Sequence, residues 1–220
     1  MSAAAPARRR LLIATGSKHK FGELGDLLDL PNTDLVSLAD LGIPDDVNET
    51  GSTFEDNARL KARHYAAASG LPTLADDSGI EVEALTGMPG VRTRRYAGEH
   101  ATDDENNAKL LATLGVLHAD GPEARRARYV CVLGFVDPSL PSRESGGRDD
   151  PILITGTFEG RIAAAPRGTG GFGYDPIFEP DFEHPGGRTV GQMTQAEKDA
   201  ISHRAKAARA MGETLRRLGY

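Results

Sequence analysis

Short apolar runs alternate with helical patterns along this chain. Arg10–Thr15 is an apolar strand ending at Gly16, and a helix is predicted over Lys18–Leu30, stopped by Pro31. Leu35–Leu38 reads as a short strand, and residues 42–52, rich in Gly, Pro, Asp and Asn, as a loop. Three helices carry the signature of a Ser or Thr cap answered by Glu three residues later. They are Ser52–Glu55, opening a helix to Ser69 before Gly70; Thr102–Glu105, opening one to Leu114 before Gly115; and Thr194–Glu197, opening a last helix to Leu218. Strands are predicted at Thr73–Ala75, Ile80–Val82, Ala127–Asp137 and Ile152–Arg161. Pro138–Asp150, rich in Pro, Ser, Gly and charge, reads as a mobile hairpin loop between the last two. The fold class expected is α/β, a mixed sheet flanked by helices. No composition break divides the chain, so residues 9–220 are read as one two-lobed domain after a disordered lead-in over 1–8.

Composition narrows the classes. The chain has 220 residues, 39% hydrophobic and 26% charged, an ordinary globular balance. A net charge of −6 argues against a nucleic-acid-coating role, yet allows a polyphosphate ligand if cations are focused at one site. The single cysteine, Cys131, lies in an apolar run and reads as a buried thiol; no disulfide framework points to a reducing compartment. The apolar run after the N-terminal arginines is too short for a signal core or a membrane span.

Five segments carry candidate chemistry. Thr15-Gly16-Ser17-Lys18-His19-Lys20 joins a strand to a helix N-terminus, where free N–H groups, hydroxyls and Lys20 suit phosphate, although an ordinary strand–helix turn has the same form. Asp76 and Asp77, before Ser78 and Gly79, end an apolar strand and are expected to enter a turn. They suit a hard cation or the orientation of water, and an Asx-turn equally well. Glu49 precedes a helix on which Asn57 and Lys61 share a face, as they would on an ordinary surface amphipathic helix. Pro166–Phe178, with Gly170, Gly171 and Gly173 around Phe172 and before Tyr174 and Asp175, combines backbone access with a stacking ring, a combination that favours a ligand over a plain flexible loop. Lys198, His203 and Arg204 sit on the last helix, too far out of phase for one stripe but able to cluster at one edge, although taken alone they read as a solvated basic face.

In this order these segments resemble the inosine triphosphate pyrophosphatase family, from Leu11 to Met211. The most specific stretches are Glu49–Ala58, Ala75–Gly79, Gly170–Phe178 and Glu197–Arg204. The resemblance implies an elongated mixed α/β fold with a central cleft between two lobes, usually as a homodimer. It implies magnesium-dependent hydrolysis of ITP, dITP and XTP to the monophosphate and pyrophosphate in the cytoplasm. Thr15, Gly16, Ser17 and Lys20 would then form the phosphate turn, with Ser78 and Lys61 as further phosphate contacts. Glu49 and Asp77 would bind metal, Asp77 would also accept a proton, and Asp76 would assist. Phe172, Gly173, Tyr174, Asp175, Lys198, His203 and Arg204 would bind the base. The chain departs from the family at Ser17, where Asn is usual, and at His19, where a small residue is common. The alternatives are a pyrophosphatase of other modified nucleotides and a silent nucleotide-binding module.

Overall fold

The computed structural model describes residues 8–142 and 144–220. Arg143 and nearly all of the expected lead-in lie outside the described residues. One mixed six-stranded sheet organises the chain, in the order β2-β1-β3-β4-β5-β6. The strands are β1 (Arg9–Ala14), β2 (Thr33–Ser37), β3 (Thr73–Val82), β4 (Arg126–Val136), β5 (Ile152–Ile162) and β6 (Phe178–Pro180). β1 lies parallel to both β2 and β3, and the remaining pairs are antiparallel. The expected α/β class holds.

Helices cover both faces. α1 (Lys18–Leu28) and α5 (His203–Arg217) pack on one; α2 (Phe54–Ser69) packs on the other. The period-2 alternation of the central strands decides which side chains meet which helix. Leu74 of β3 and Cys131, Leu133 and Phe135 of β4 join Leu24, Leu28, Met211 and Leu215. Ala75 and Val136 join Ala62, Tyr65 and Ala66 of α2. α3 (Asp103–Val116) supplies Leu110 and Leu114 to a third cluster with Ile80, Tyr129 and Phe178.

Three sequence expectations need correction. β3 is one continuous strand, so Asp76 and Asp77 stand within it rather than at its end before a turn. All ten of its residues pair with β4, from Thr73 opposite Val136 to Val82 opposite Ala127, which overrides the turn preference of Asp-Asp-Ser-Gly. α2 is capped by Thr53, whose hydroxyl accepts from the Asp56 N–H, not by Ser52. That register makes Phe54 the first helical residue and buries it against Val130 and Val132. The last helix is two helices. Ser202 ends α4 (Gln195–Ile201) and caps α5, accepting from Ala205 N at 3.2 Å. The capping boxes at Thr102 and Thr194 form as expected.

β4 and β5 make the expected hairpin. In its connection, Asp137 N donates to Gly146 O at 2.7 Å, and Arg63 of α2 donates to the carbonyls of Arg148 and Asp149, both at 2.9 Å. No described residue of that loop lines the pocket introduced below.

The helices approach the sheet most closely over two glycines. A Cβ on Gly134 would lie 2.9 Å from Ala58 O, and one on Gly156 would lie 2.2 Å from His203 O and 2.8 Å from Ala207 N. Gly156→Ala is therefore expected to lower stability by about 1–3 kcal/mol through overpacking. Gly115→Ala, on the exposed side of α3 with open space around it, should raise stability by roughly 0.4–1 kcal/mol. Thermal denaturation of both variants checks the opposite signs. Replacing Ser139–Asp149 by a short Gly-containing turn should leave nucleotide turnover within about twofold, because closure entropy changes slowly with loop length. A tenfold loss of substrate affinity would place the loop in the site.

Candidate active site

β1 stops at Ala14, opposite Ala75, whereas β3 runs on to Val82. Beyond Ala75 the β3 edge that faced β1 is free of it, and a pocket of about 300 Å³ opens there. Strand alternation sends Asp76 and Ser78 toward α1 and α5, and Asp77 toward α2.

On the first face, Lys20 Nζ lies 2.7 Å from Asp76 Oδ2 and 3.4 Å from Ser78 Oγ. Arg204 donates through NH1 to Glu23 Oε2 at 2.6 Å and through NH2 to Ser78 Oγ at 3.3 Å. Asp76 is buried, which by itself would raise its pKa. Lys20, Arg204 and Lys61 outweigh that burial and hold the carboxyl well below the usual range. Asp76 is therefore a fixed anion.

On the second face, Lys61 Nζ bridges Asp77 Oδ1 at 2.8 Å and Glu49 Oε1 at 3.0 Å. Asn57 donates to Asp77 Oδ2 at 3.1 Å and accepts from Gly51 N at 2.8 Å. The shared face of Asn57 and Lys61 is thus aimed at Asp77. Burial, with Glu49 adding to it, pushes the Asp77 pKa up against the opposing pull of Lys61 and Asn57. A carboxylate raised in this way is a better proton acceptor than its neighbour.

Between these faces lies the Thr15–Lys20 turn. Ser17 caps α1, accepting from Lys20 N, and Thr15 Oγ1 accepts from Ser17 N at 3.2 Å. The first-turn N–H groups of α1 supply the positive end of the helix at the pocket.

The far end of the pocket is aromatic. Asp175 Oδ2 accepts from Phe172 N at 2.9 Å and from Lys198 Nζ at 2.7 Å, while Tyr129 OH donates to Asp175 Oδ1 at 3.2 Å. Lys198 Nζ stands 4.3 Å from the Phe172 ring centre, and the Arg204 guanidinium carbon 5.6 Å from it. The His203 ring stacks on Tyr129, 4.7 Å apart and 6° from parallel. Burial, then Arg204, Lys198 and Lys20, push the His203 pKa well below the ordinary value, so its imidazole is neutral. His203 Nδ1 and Arg204 Nε are buried and have no hydrogen-bond partner among the described residues. The break at Ser202 is what brings Lys198 and the His203–Arg204 pair to this end from two different helices.

The residues to which the resemblance gives a role lie on or beside this assembly: Thr15, Gly16, Ser17, Lys20, Glu49, Lys61, Asp76, Ser78, Phe172, Gly173, Tyr174, Asp175, Lys198, His203 and Arg204 line the pocket, and Asp77 sits one hydrogen bond from it through Lys61. Sequence reasoning missed Glu23, Tyr129, Asp103 and Asn107. Asp103 Oδ2 accepts from Gly173 N at 2.6 Å and Asn107 donates to Gly173 O at 3.0 Å. Their spacing of four on a capped helix was a usable signal; Tyr129, inside an apolar strand, offered none.

No group of three or more His, Cys, Asp or Glu side chains able to hold a metal occurs among the described residues. Glu49 and Asp77, drawn together on one ammonium, are a two-carboxylate donor set. That set fits magnesium, which takes one or two carboxylates and completes its shell with water and substrate phosphate.

Residues 11–214 match the model of the Ham1 family. The dITP/XTP pyrophosphatase of Shigella flexneri is 44% identical over 212 residues, spanning 94% of this chain and 98% of the relative. Among solved structures, a HAM1 protein from Coxiella burnetii is 38% identical with a TM-score of 0.82, covering 95% of this chain and 99% of that one. The nucleoside-triphosphatase, dITP/XTP pyrophosphatase, of Mycobacterium abscessus is 40% identical with a TM-score of 0.71, covering 92% and 98%. The chain belongs to the Ham1 family.

Proposed function

We propose that this protein hydrolyses deaminated purine nucleoside triphosphates (ITP, dITP and XTP) to the monophosphate and pyrophosphate, using magnesium. One observation carries the reading: a single pocket joins a cation-lined, carboxylate-bearing end to an aromatic end with unpartnered buried polar atoms. The likeness to proteins named dITP/XTP pyrophosphatase supports it. Residues 9–220 would work as one unit of two lobes. A homodimeric assembly and a cytoplasmic site of action belong to the same proposal, supported by the motif resemblance and, for the compartment, by the lone buried cysteine. No described helix is long and apolar enough to cross a membrane.

In the mechanism that follows, the α1 N-terminus, Ser17, Lys20 and Ser78 receive the polyphosphate, and Lys61 neutralises a phosphate oxygen beside Asp77. Glu49 and Asp77 would hold magnesium, which would supply positive charge to the phosphate oxygens. Asp77 orients water for in-line attack on the α-phosphorus and accepts its proton, and pyrophosphate leaves. Asp76 keeps Lys20 in place. No covalent intermediate is called for: Ser78 Oγ donates to Asp76 at 3.2 Å, but that carboxyl is held firmly ionised and is too weak a base to activate a hydroxyl. Phe172 stacks on the base.

Asp77→Asn keeps the shape and the contact with Asn57's neighbourhood but removes charge and basicity. The variant should fold and lose roughly 100- to 10,000-fold in turnover from the missing base alone. Release of pyrophosphate from ITP, with folding checked by thermal melting, tests this; near-wild-type turnover sinks the assignment.

The base end predicts a preference. Lys198 and Arg204 only donate hydrogen bonds, so they suit the 6-oxo group of hypoxanthine or xanthine and leave the 6-amine of adenine facing donors. Discrimination by buried donors reaches about 10,000-fold. ITP should exceed ATP in kcat/KM by a large factor, and Arg204→Ala should narrow the ratio. An unchanged ratio with lower ITP activity would assign Arg204 to the Ser78 and Glu23 side alone. Comparable turnover of other modified nucleotides would favour the broader pyrophosphatase reading.

A further inference from the structure

Asp45 stands in the wall of the phosphate end of the pocket, on the loop that also carries Glu49. Its Oδ1 accepts a hydrogen bond from Tyr65 OH at 2.9 Å, and that ring belongs to the buried core under α2. Burial first, then the bond to Asp45, push the Tyr65 pKa up to about 12, so the phenol remains a neutral donor. Pinned through one oxygen, the carboxylate aims the other at Gly16, where a Cβ would lie only 2.2 Å from Oδ2. Gly16 belongs to the turn that joins β1 to α1. The space made by its missing side chain is thus taken by an anionic oxygen.

Asp45 is exposed, and its charge is balanced by no cation of the protein among the described residues. Asp46 next to it faces His64 at 3.9 Å, and Lys20 is committed to Asp76 and Ser78. Among the described residues no basic nitrogen comes within 4.0 Å of Asp45. A phosphate oxygen approaching the Gly16 backbone needs the same volume and carries the same sign of charge.

The geometry points to Asp45 as an affinity-setting residue of the phosphate subsite: its carboxylate occupies the Gly16 position and must swing aside for a polyphosphate to seat. This rests on the reading of Thr15–Lys20 as the phosphate turn. Repulsion from Asp45 weakens binding of triphosphate and speeds the departure of pyrophosphate, and Tyr65 sets how firmly the carboxylate holds its place.

The test is binding of inorganic pyrophosphate, by calorimetry in the presence of magnesium, to wild type, Asp45→Asn and Tyr65→Phe, alongside steady-state turnover of ITP. Asp45→Asn should bind pyrophosphate about five- to tenfold more tightly at low salt, with the gain shrinking as salt rises. It should also lower KM for ITP and show stronger inhibition by pyrophosphate. Tyr65→Phe should move affinity in the same direction by a smaller factor. If Asp45→Asn binds pyrophosphate no better and only its melting temperature falls, Asp45 is a tie between its loop and Tyr65, and the inference fails. Weaker binding together with a raised magnesium requirement would make it a cation ligand and also overturn it. The nucleotide reading stands or falls separately: a wild type that turns over ITP keeps that reading whatever Asp45 does. A wild type that hydrolyses no nucleotide loses it, while tighter pyrophosphate binding by Asp45→Asn would still support the role given to its charge.

Discussion

Two buried carboxylates on consecutive residues of one strand impose the plan of this protein. Asp76 and Asp77 point to opposite faces of the sheet, so each makes its direct ion pair with a different lysine, and an unpaired charge at either position would cost several kcal/mol. Each face must deliver its own lysine. α1 supplies Lys20 and α5 supports it with Arg204, while α2 supplies Lys61. The three helices are thus bound to the strand by charge as well as by apolar packing. The same arrangement gives the two acids different characters: one held firmly ionised, the other raised toward proton transfer.

This division of labour depends on where β1 ends. Had β1 continued past Ala14, its backbone would have covered the β3 edge and closed the space in which both carboxylates are reached. The strand stops because Gly16 and Ser17 turn the chain into α1, and Ser17 caps that helix. A local capping event therefore opens the pocket and lines it with helix N–H groups at once.

Much of this was readable without coordinates, and the failures have specific causes. The capping boxes at Thr102 and Thr194 are local and formed as read. The residues of Asp76–Gly79 favour a turn as much as a cation site; pairing with β4 along the whole length and cations on both faces override the turn preference. Ser52 and Thr53 offer competing cap registers, and the burial of Phe54 chose between them. The break at Ser202 has no local breaker such as Pro or Gly. It forms where Gly156 admits the His203 backbone to the sheet, a contact between distant segments. The pocket residues were legible as separate motifs because they cluster in short polar or glycine-rich stretches. Glu23 was not, because its meaning lies in an arginine 181 positions away.

That last separation bears on how the protein is made. Glu23 and the α1 core residues Leu24 and Leu28 emerge early in synthesis, but their partners Arg204, Met211 and Leu215 come from the final helix. A nascent chain can pair β1 with β2 and raise α2 against β3, yet it holds an acid on α1 with no base and an apolar helix face with no cover until α5 arrives. Chains cut short before that helix expose a charged, half-apolar surface that chaperones and proteases recognise. The pocket, which needs His203 and Arg204 as walls, is complete only once α5 is in place, so a chain cut short before that helix has no assembled site.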